Sequence, residues 1–208
     1  MTPLRPPPTV FVVDDDPAVL KSLSRLLRSA GLAAATFSSP REFLERHDPD
    51  APGCLVLDVA MPGLNGLELQ QALNARRREL AIVFLTGHGD IPMSVRAMKG
   101  GAVDFLTKPV NADDLLNAVR VATEKDRLQR EARAEVAEIH QRFNTLTPRE
   151  REVMEHVISG DLNKQTAADL GTVEKTIKVH RARVMEKMKV QSVAELVRLA
   201  ERVGIGGK

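Results

Sequence analysis

Short apolar runs alternate with amphipathic segments through residues 9–122. Each run is only four or five residues long, which favours β-strands, because an amphipathic helix needs about ten or more residues of periodic pattern. The predicted strands are residues 10–13, 33–37, 54–57, 81–85 and 103–106. Strands that alternate with helices are typical of an α/β fold, in which helices cover both faces of a parallel sheet. Five strands favour a flavodoxin-like, doubly wound order.

The helices of this first part have recognisable starts. Asp16-Pro17 and Ser39-Pro40 each combine an N-cap residue with a proline at the first helical position. Residues 111–143 predict one long, largely polar helix. In its second half a thin apolar stripe fits two interpretations, a solvated connector helix or a short coiled-coil seam that pairs two chains. The stripe consists of Leu128, Ala132, Val136, Ile139 and Phe143.

The C-terminal part has no strand signal and predicts a compact unit of four helices. Residues 147–150 (Thr-Pro-Arg-Glu) and 192–195 (Ser-Val-Ala-Glu) have the spacing of capping boxes. Asn163 is predicted to cap a short helix that Gly171 ends, and residues 173–188 form the remaining helix.

We therefore predict three parts of the chain. Residues 9–122 form the α/β domain, residues 123–143 a long helical linker, and residues 144–208 an all-α domain. The last of these carries a mild excess of basic residues, which weakly favours nucleic acid as its partner.

Composition adds few constraints. The 208-residue chain has a formal net charge of +2 and lacks Trp and Tyr, so aliphatic side chains must form most of its cores. Its single cysteine, Cys54, lies inside an apolar run and cannot form an internal disulfide. No run approaches the ~20 apolar residues that cross a membrane, and the proline-rich start lacks the apolar core of a signal peptide. We expect a cytoplasmic protein without membrane contacts.

Polar side chains follow four of the predicted strands. They are Asp14, Asp15, Asp58, Thr86 and Lys108. Because the carboxyl ends of parallel strands meet at one edge of a sheet, we expect these side chains to form one site. Asp58 could attack an activated phosphoryl group without first losing a proton, giving an acyl phosphate. Neighbouring carboxylates need a cation to offset their repulsion, and Mg²⁺ prefers oxygen ligands.

Four segments resemble the receiver domain of two-component response regulators. They are Val13-Asp14-Asp15-Asp16, Leu57-Asp58-Val59-Ala60-Met61-Pro62-Gly63-Leu64-Asn65-Gly66, Leu85-Thr86-Gly87-His88-Gly89-Asp90 and Leu106-Thr107-Lys108-Pro109. The resemblance covers residues 9–122, and residues 86–109 are similar to the FixJ-type subgroup in particular.

This resemblance implies a role for each residue of the site. Asp58 is the phosphoacceptor; Asp58 and Asp15 bind Mg²⁺ directly, Asp14 binds it through water, and the backbone carbonyl of Ala60 completes the set. Thr86 and Lys108 contact phosphoryl oxygens, and the Lys108-Pro109 bond is cis. Thr86 and Phe105 form the switch, in which the ring turns inward as the threonine moves. Phe105 as a permanently buried strand residue is the alternative.

Three further segments resemble the NarL/LuxR-type helix-turn-helix. They are Leu146-Thr147-Pro148-Arg149-Glu150-Arg151-Glu152-Val153, Asn163-Lys164-Gln165-Thr166-Ala167 and Lys175-Thr176-Ile177-Lys178-Val179-His180-Arg181. Winding residues 173–188 as a helix predicts a core face of Val173, Ile177, Val184 and Met188. The opposite face combines small apolar residues with long cations, as a helix in the DNA major groove requires.

We predict DNA contacts at Lys164, Lys175, Thr176, Lys178, Val179, Arg181, Ala182 and Arg183. The family implies base contacts at Lys178, Val179 and Ala182. This chain departs from the family at the start of the helix, where Thr172 is an alternative N-cap to Val173.

Together these features predict a DNA-binding transcriptional response regulator and not an enzyme. The expected partners are a sensor histidine kinase, double-stranded promoter DNA, RNA polymerase and, on phosphorylation, a second copy of the chain. Two alternatives are a haloacid-dehalogenase-type phosphatase and a receiver switched by protein contact alone. The phosphatase needs a second aspartate where this chain has Ala60; here Ala60 and His88 would only tune slow hydrolysis of the acyl phosphate.

Overall fold

The computed structural model describes residues 7–75, 80–87 and 91–205, so His88 lies outside the described residues. The strands are β1 (Thr9–Val13), β2 (Ala33–Phe37), β3 (Gly53–Asp58), β4 (Ala81–Thr86) and β5 (Asp104–Thr107). The helices are α1 (Pro17–Ser29), α2 (Pro40–Arg46), α3 (Gly66–Ala75), α4 (Ile91–Lys99), α5 (Ala112–Asn144), α6 (Pro148–Ile158), α7 (Asn163–Asp169), α8 (Glu174–Met188) and α9 (Val193–Arg202).

The five strands form one parallel sheet in the order β2-β1-β3-β4-β5. This order confirms the predicted flavodoxin-like fold. From β1 the chain adds β2 on one side and then β3, β4 and β5 on the other, so the strand order reverses between β1 and β3. Doubly wound sheets bind ligands at such a point. Val13 pairs with Leu57 across these two strands, so the residues that follow, Asp14 and Asp58, leave the sheet side by side.

Each face of the sheet has its own apolar layer, because successive strand residues point to opposite faces. On one face Phe11, Leu55 and Phe84 pack with side chains of α2, α3 and α4. On the other face Val12 and Val56 pack with side chains of α1 and α5. A sheet covered on both faces explains why β3 and β4 read as continuous apolar runs.

Several helix starts match the sequence prediction. Asp16 accepts a hydrogen bond from the backbone N–H of Ala18, and Ser39 accepts one from that of Glu42. At α6, Thr147 and Glu150 form a reciprocal capping box, as predicted.

One predicted cap is wrong, and one alternative cap does not occur. Asn163 is the first residue of α7 and Leu162 is its N-cap; the backbone N–H of Leu162 donates to Gln165 instead (2.8 Å). At α8 the N-cap is Val173, not Thr172, and no side chain caps this end. Val173 is 64% exposed and therefore does not belong to the predicted core face, because the helix starts only after it.

The chain divides into two compact units, residues 1–130 and 131–208. In the second unit α6, α7, α8 and α9 enclose a separate core that includes Met154, Ile177, Val184 and Leu196, which confirms the predicted all-α domain. Among the described residues, no helix has the length and apolar character needed to span a membrane.

Candidate functional site

The carboxyl edge of the sheet brings three of the predicted site residues into direct contact. Asp14 follows β1, Asp58 ends β3, and both are buried, with 2% and 4% of their surfaces exposed. The Lys108 ammonium donates to Asp14 Oδ2 (2.6 Å) and to Asp58 Oδ1 (2.8 Å). The backbone N–H of Lys108 donates to the carbonyl of Thr86 (2.7 Å), and the Lys108–Pro109 bond is cis. One ammonium group therefore bridges two carboxylates from neighbouring strands.

The charges of these three groups depend on one another. Burial raises the pKa of Asp58; the Lys108 ammonium and the backbone N–H of Ala60 lower it in part, and the charge of Asp14 raises it. Burial alone lowers the pKa of Lys108, but its bonds to Asp14 and Asp58 outweigh that effect and raise it. Lys108 thus stays charged and is the main group that favours an ionised Asp58.

The other predicted site residues have different positions. Thr86 ends β4 and is fully buried, and it pairs with Thr107 across the sheet. Asp15 is exposed, and so is Ala60, whose backbone N–H bonds the Asp58 carboxylate. Asp15 thus follows Asp14 in the chain but does not take part in the bridge from Lys108 to Asp14 and Asp58.

A single group of three potential metal ligands within 4.8 Å of one another occurs among the described residues, and it is His156, Asp161 and Asp169. The predicted set of Asp14, Asp15 and Asp58 is therefore not preassembled as a closed ligand group. The His156 cluster has a simpler explanation than a metal. His156 Nδ1 lies 2.7 Å from Asp161 Oδ2, and the backbone N–H of Asp161 donates to the His156 carbonyl, so the cluster closes the α6–α7 turn.

Gly66 is a residue whose importance sequence reasoning missed, although it ends one of the quoted segments. A Cβ atom at this position would lie 2.2 Å from the backbone oxygen of Asp58. The backbone N–H of Gly66 donates to the carbonyl of Val59 (3.0 Å). Only a residue without a side chain lets the loop after β3 return this closely to Asp58.

Phe105 is half-buried on β5, and its ring centroid lies 6.1 Å from that of Phe84. It packs against the core cluster that α2, α3 and α4 cover. The neighbouring helix α4 exposes large apolar side chains, with Ile91 81% exposed.

Helix α8 has the two faces that the sequence predicts, apart from Val173. Ile177, Val184 and Met188 are buried. The exposed side chains are those of Glu174, Lys175, Lys178, Val179, Ala182, Arg183 and Glu186, so cations outnumber carboxylates. Lys178 forms a surface ion pair with Glu174 (2.9 Å), and exposed pairs of this kind are weak. The cationic face is therefore open to a polyanionic partner.

The remaining predicted DNA contacts differ in how far they are exposed. Lys164 is exposed in the first turn of α7, and Thr176 is half-buried. Arg181 is half-buried and donates to Asn163 Oδ1 (3.1 Å). In this structure the Arg181 side chain thus joins α8 to the start of α7.

A buried ion pair fixes α8 against α6. Glu150 is 2% exposed and accepts from the Lys187 ammonium (2.6 Å) and from the backbone N–H of Thr147 (2.8 Å). Burial raises the pKa of Glu150, but the bonds to Lys187 and Thr147 outweigh it, and the pKa is lowered. Sequence reasoning identified Glu150 only as a capping residue, because nothing in the sequence links it to Lys187.

Comparison with known proteins agrees with both units. Residues 10–120 match the response regulator receiver domain family, and residues 144–200 match the family described as bacterial regulatory proteins, luxR family. The chain is 53% identical to nodulation protein W of Bradyrhizobium diazoefficiens, with 94% of this chain and 86% of the relative covered. It is 45% identical to the transcriptional regulatory protein FixJ of Azorhizobium caulinodans, with 94% and 93% covered.

A solved structure of the response regulator StyR superposes with a TM-score of 0.87 at 48% identity and covers 95% of this chain and all of its own. The matching families are those of transcriptional regulators and not of enzymes, so the phosphatase alternative is wrong. The chain therefore belongs to the FixJ-type response regulators, which join a receiver domain to a LuxR-type DNA-binding domain, and it is a transcriptional regulator of a two-component system.

Proposed function

We propose that Asp58 is the phosphoacceptor and that a sensor histidine kinase is the donor. One oxygen of the Asp58 carboxylate attacks phosphorus, the bond between phosphorus and the kinase histidine breaks, and the histidine nitrogen keeps the electron pair. The observation that carries this proposal is the bridge from Lys108 to Asp14 and Asp58, with distances of 2.6 and 2.8 Å. It favours the ionised form of a nucleophilic carboxylate in a buried position.

Receiver domains generally use Mg²⁺ for phosphorylation. We propose that Asp14, Asp15, Asp58 and the backbone carbonyl of Ala60 would hold the ion. The donor chemistry fits, because all four supply oxygen atoms, which Mg²⁺ prefers. Bound there, Mg²⁺ would neutralise charge on the transferring phosphoryl group.

Lys108 and Thr86 then stabilise the phosphorylated form of Asp58. After transfer the charge of Asp58 moves to the phosphoryl oxygens, and the Lys108 ammonium, already 2.8 Å from Asp58, exchanges its carboxylate partner for one of them. The Thr86 hydroxyl donates to another phosphoryl oxygen. Phe105 turns inward as Thr86 moves, which alters the surface formed by α4 and β5.

Phosphorylation on this proposal leads to a homodimer that binds double-stranded promoter DNA in the cytoplasm and contacts RNA polymerase. The exposed apolar side chains Ile91, Val95 and Met98 of α4 support α4 and β5 as the dimer surface. Two linked DNA-binding units raise the effective concentration of the second unit at its half-site.

The DNA contact surface on this proposal lies on α8 and the start of α7. The proposed contacts are Lys164, Lys175, Thr176, Lys178, Val179, Arg181, Ala182 and Arg183. The exposed cations of α8 support phosphate and guanine contacts, whereas Val179 and Ala182 are short enough to contact thymine methyl groups. We retain residues 9–122, 123–143 and 144–208 as the proposed receiver, linker and DNA-binding parts.

The decisive test compares wild type with Asp58→Asn, with Asp113→Asn as a control that removes an exposed carboxylate from the first turn of α5. Genomic DNA fragments bound by the phosphorylated wild type serve as the ligand. With Mg²⁺ and a small acyl-phosphate donor, wild type and the control should dimerise and bind DNA at least tenfold more tightly, and Asp58→Asn should not respond. An equal response of Asp58→Asn contradicts the proposal. If Asp58→Asn binds DNA more tightly only when a partner protein is added, switching by protein contact is favoured.

A further inference from the structure

The linker helix α5 is tied to the start of β3 by a buried ion pair. Asp126 is 2% exposed, and its carboxylate accepts from the backbone N–H of Gly53 (3.0 Å) and from Arg130 Nε (2.8 Å). The other guanidinium nitrogens of Arg130 donate to the carbonyls of Asp50 (2.9 Å) and Ala51 (2.6 Å). We call this group the Asp126–Arg130 clasp. It satisfies two carbonyls of the loop before β3 and the N–H of the first residue of that strand.

The backbone that receives the clasp packs closely against β1. Gly53 has a φ of 147°, and a Cβ atom there would lie 1.8 Å from the carbonyl oxygen of Thr9. The backbone N–H of Thr9 donates to the carbonyl of Pro52 (2.9 Å). The clasp therefore docks on a part of the receiver whose backbone also contacts Thr9 of β1.

Neighbouring residues of α5 add to this attachment. The Thr123 hydroxyl contacts Cys54 Sγ (3.6 Å), and Lys125 Nζ donates to the carbonyl of Gly101 (3.2 Å). These contacts lie beyond residue 120, where the match to the receiver family ends, and within the segment predicted as linker. The first two turns of the linker segment thus pack within the first compact unit, which extends to residue 130.

The clasp and the phosphoacceptor lie at opposite ends of one strand. β3 begins at Gly53 and ends at Asp58, and all six of its residues are buried. A packed strand is a contiguous physical connection, because close-packed interiors deform little. We propose that the Asp126–Arg130 clasp couples the receiver to the DNA-binding unit. It fixes α5 to the receiver as far as Arg130, and through this attachment phosphorylation of Asp58 controls the DNA-binding unit.

This inference rests on the proposed function. It requires that loss of the clasp uncouples DNA binding from phosphorylation without preventing phosphorylation itself. Arg130→Gln removes the charge and the fork of donors, and Arg130→Lys keeps the charge but cannot serve Asp126 and both carbonyls together. Arg127→Gln is the matched control, because Arg127 also belongs to α5 but pairs with Glu124 at the surface.

The experiment measures three quantities on the full chain. They are the phosphorylated fraction after treatment with Mg²⁺ and a small acyl-phosphate donor, amide hydrogen exchange of residues 121–130, and DNA affinity with and without phosphorylation. For both Arg130 variants we expect wild-type phosphorylation, exchange at least tenfold faster in residues 121–130, and a gain in DNA affinity on phosphorylation that is at least fivefold smaller. Arg127→Gln should match wild type in all three.

A full gain in DNA affinity in Arg130→Gln and Arg130→Lys overturns the coupling role and leaves the proposed function standing. Faster exchange throughout β1, β3 and β4 also overturns it, because the clasp would then serve only the stability of the receiver. A wild type that is phosphorylated without any gain in DNA affinity overturns both inferences.

Discussion

The Lys108 ammonium lies 2.8 Å from the Asp58 carboxylate, although fifty positions separate the two residues in the chain. Burial raises the pKa of Asp58, and the Lys108 ammonium is the main group that opposes this effect. Lys108→Met should therefore raise the pKa of Asp58 further and slow its phosphorylation more at low pH than at high pH. The measurement is a titration of the Asp58 carboxyl carbon by nuclear magnetic resonance. Lys21→Met, an exposed lysine of α1, should leave the titration unchanged, and an unchanged curve in Lys108→Met would contradict the electrostatic role.

Asp58 should also make stability depend on pH. Its pKa is higher in the folded than in the unfolded state, so its contribution to the free energy of unfolding is complete at pH values below the ordinary aspartate pKa. That contribution is lost as the pH rises through the raised folded-state pKa. Lys108, whose pKa is raised, stays charged throughout this range.

Asp58→Asn removes this titration and leaves Lys108 paired with Asp14. The stability of the variant relative to wild type should therefore increase as the pH rises from the ordinary aspartate pKa through the raised pKa of Asp58. Urea unfolding at several pH values measures the difference. Asp113→Asn provides the control, and a difference that falls as the pH rises would show that the carboxylate of Asp58 is stabilised, not destabilised, by folding.

The buried pair of Glu150 and Lys187 should be a main determinant of the stability of the DNA-binding unit. Lys187→Met removes the cation from the Glu150 carboxylate, whose side chain is 3% exposed, and leaves it the backbone and side-chain hydrogen bonds from Thr147. We expect a loss of about 1–3 kcal/mol, the usual cost of an incompletely paired buried polar group. Thermal unfolding monitored by helical circular dichroism measures it. Lys175→Met, an exposed lysine of α8, should change stability by less than about 0.5 kcal/mol, and equal losses in the two variants would contradict the prediction.

The sequence was sufficient for the sheet but not for every contact at its edge. Apolar runs such as 54–57 identify strands because both faces of the sheet are covered, and Asp14 and Asp58 meet because their strands are neighbours. The order of β1 and β3 could be inferred from the fold class. By contrast, the bridge from Lys108 to Asp14 depends on the path of the chain after β5, which no periodicity specifies.

Helix ends and buried ion pairs were the hardest features to predict. Asn163 has a side chain that is favoured at N-caps, but it is already the first residue of α7, and Leu162 is the N-cap. The Asn163 side chain instead accepts a hydrogen bond from Arg181. The clasp partners Asp126 and Gly53 are 73 positions apart. Asp126 has the sequence environment of a solvated residue in a charged helix, so only tertiary packing reveals its burial.

The uncapped start of α8 offers a way to stabilise the DNA-binding unit. Val173 occupies the N-cap with extended backbone and without a side-chain hydrogen bond. Val173→Ser supplies a side-chain acceptor for the N–H groups of the first turn, and should stabilise the unit by about 1 kcal/mol. Thermal unfolding measures the gain. Val173→Ala removes the same exposed apolar surface without adding an acceptor, so a similar gain in both variants would attribute the effect to lost apolar exposure and contradict the capping explanation.

The cationic face of α8 should contribute to DNA affinity mainly through phosphate and base contacts that depend on charge. Lys178 is exposed and has only a weak surface pair with Glu174, so it can exchange this partner for DNA at little cost. Lys178→Met should weaken binding of specific DNA by about 1–3 kcal/mol and reduce the slope of log affinity against log salt concentration by about one. Titrations of labelled DNA at several salt concentrations give both quantities. Lys21→Met, an exposed lysine of α1 in the other unit, controls for net charge. A Lys178→Met variant with wild-type affinity and an unchanged salt slope would show that this face of α8 does not lie against DNA.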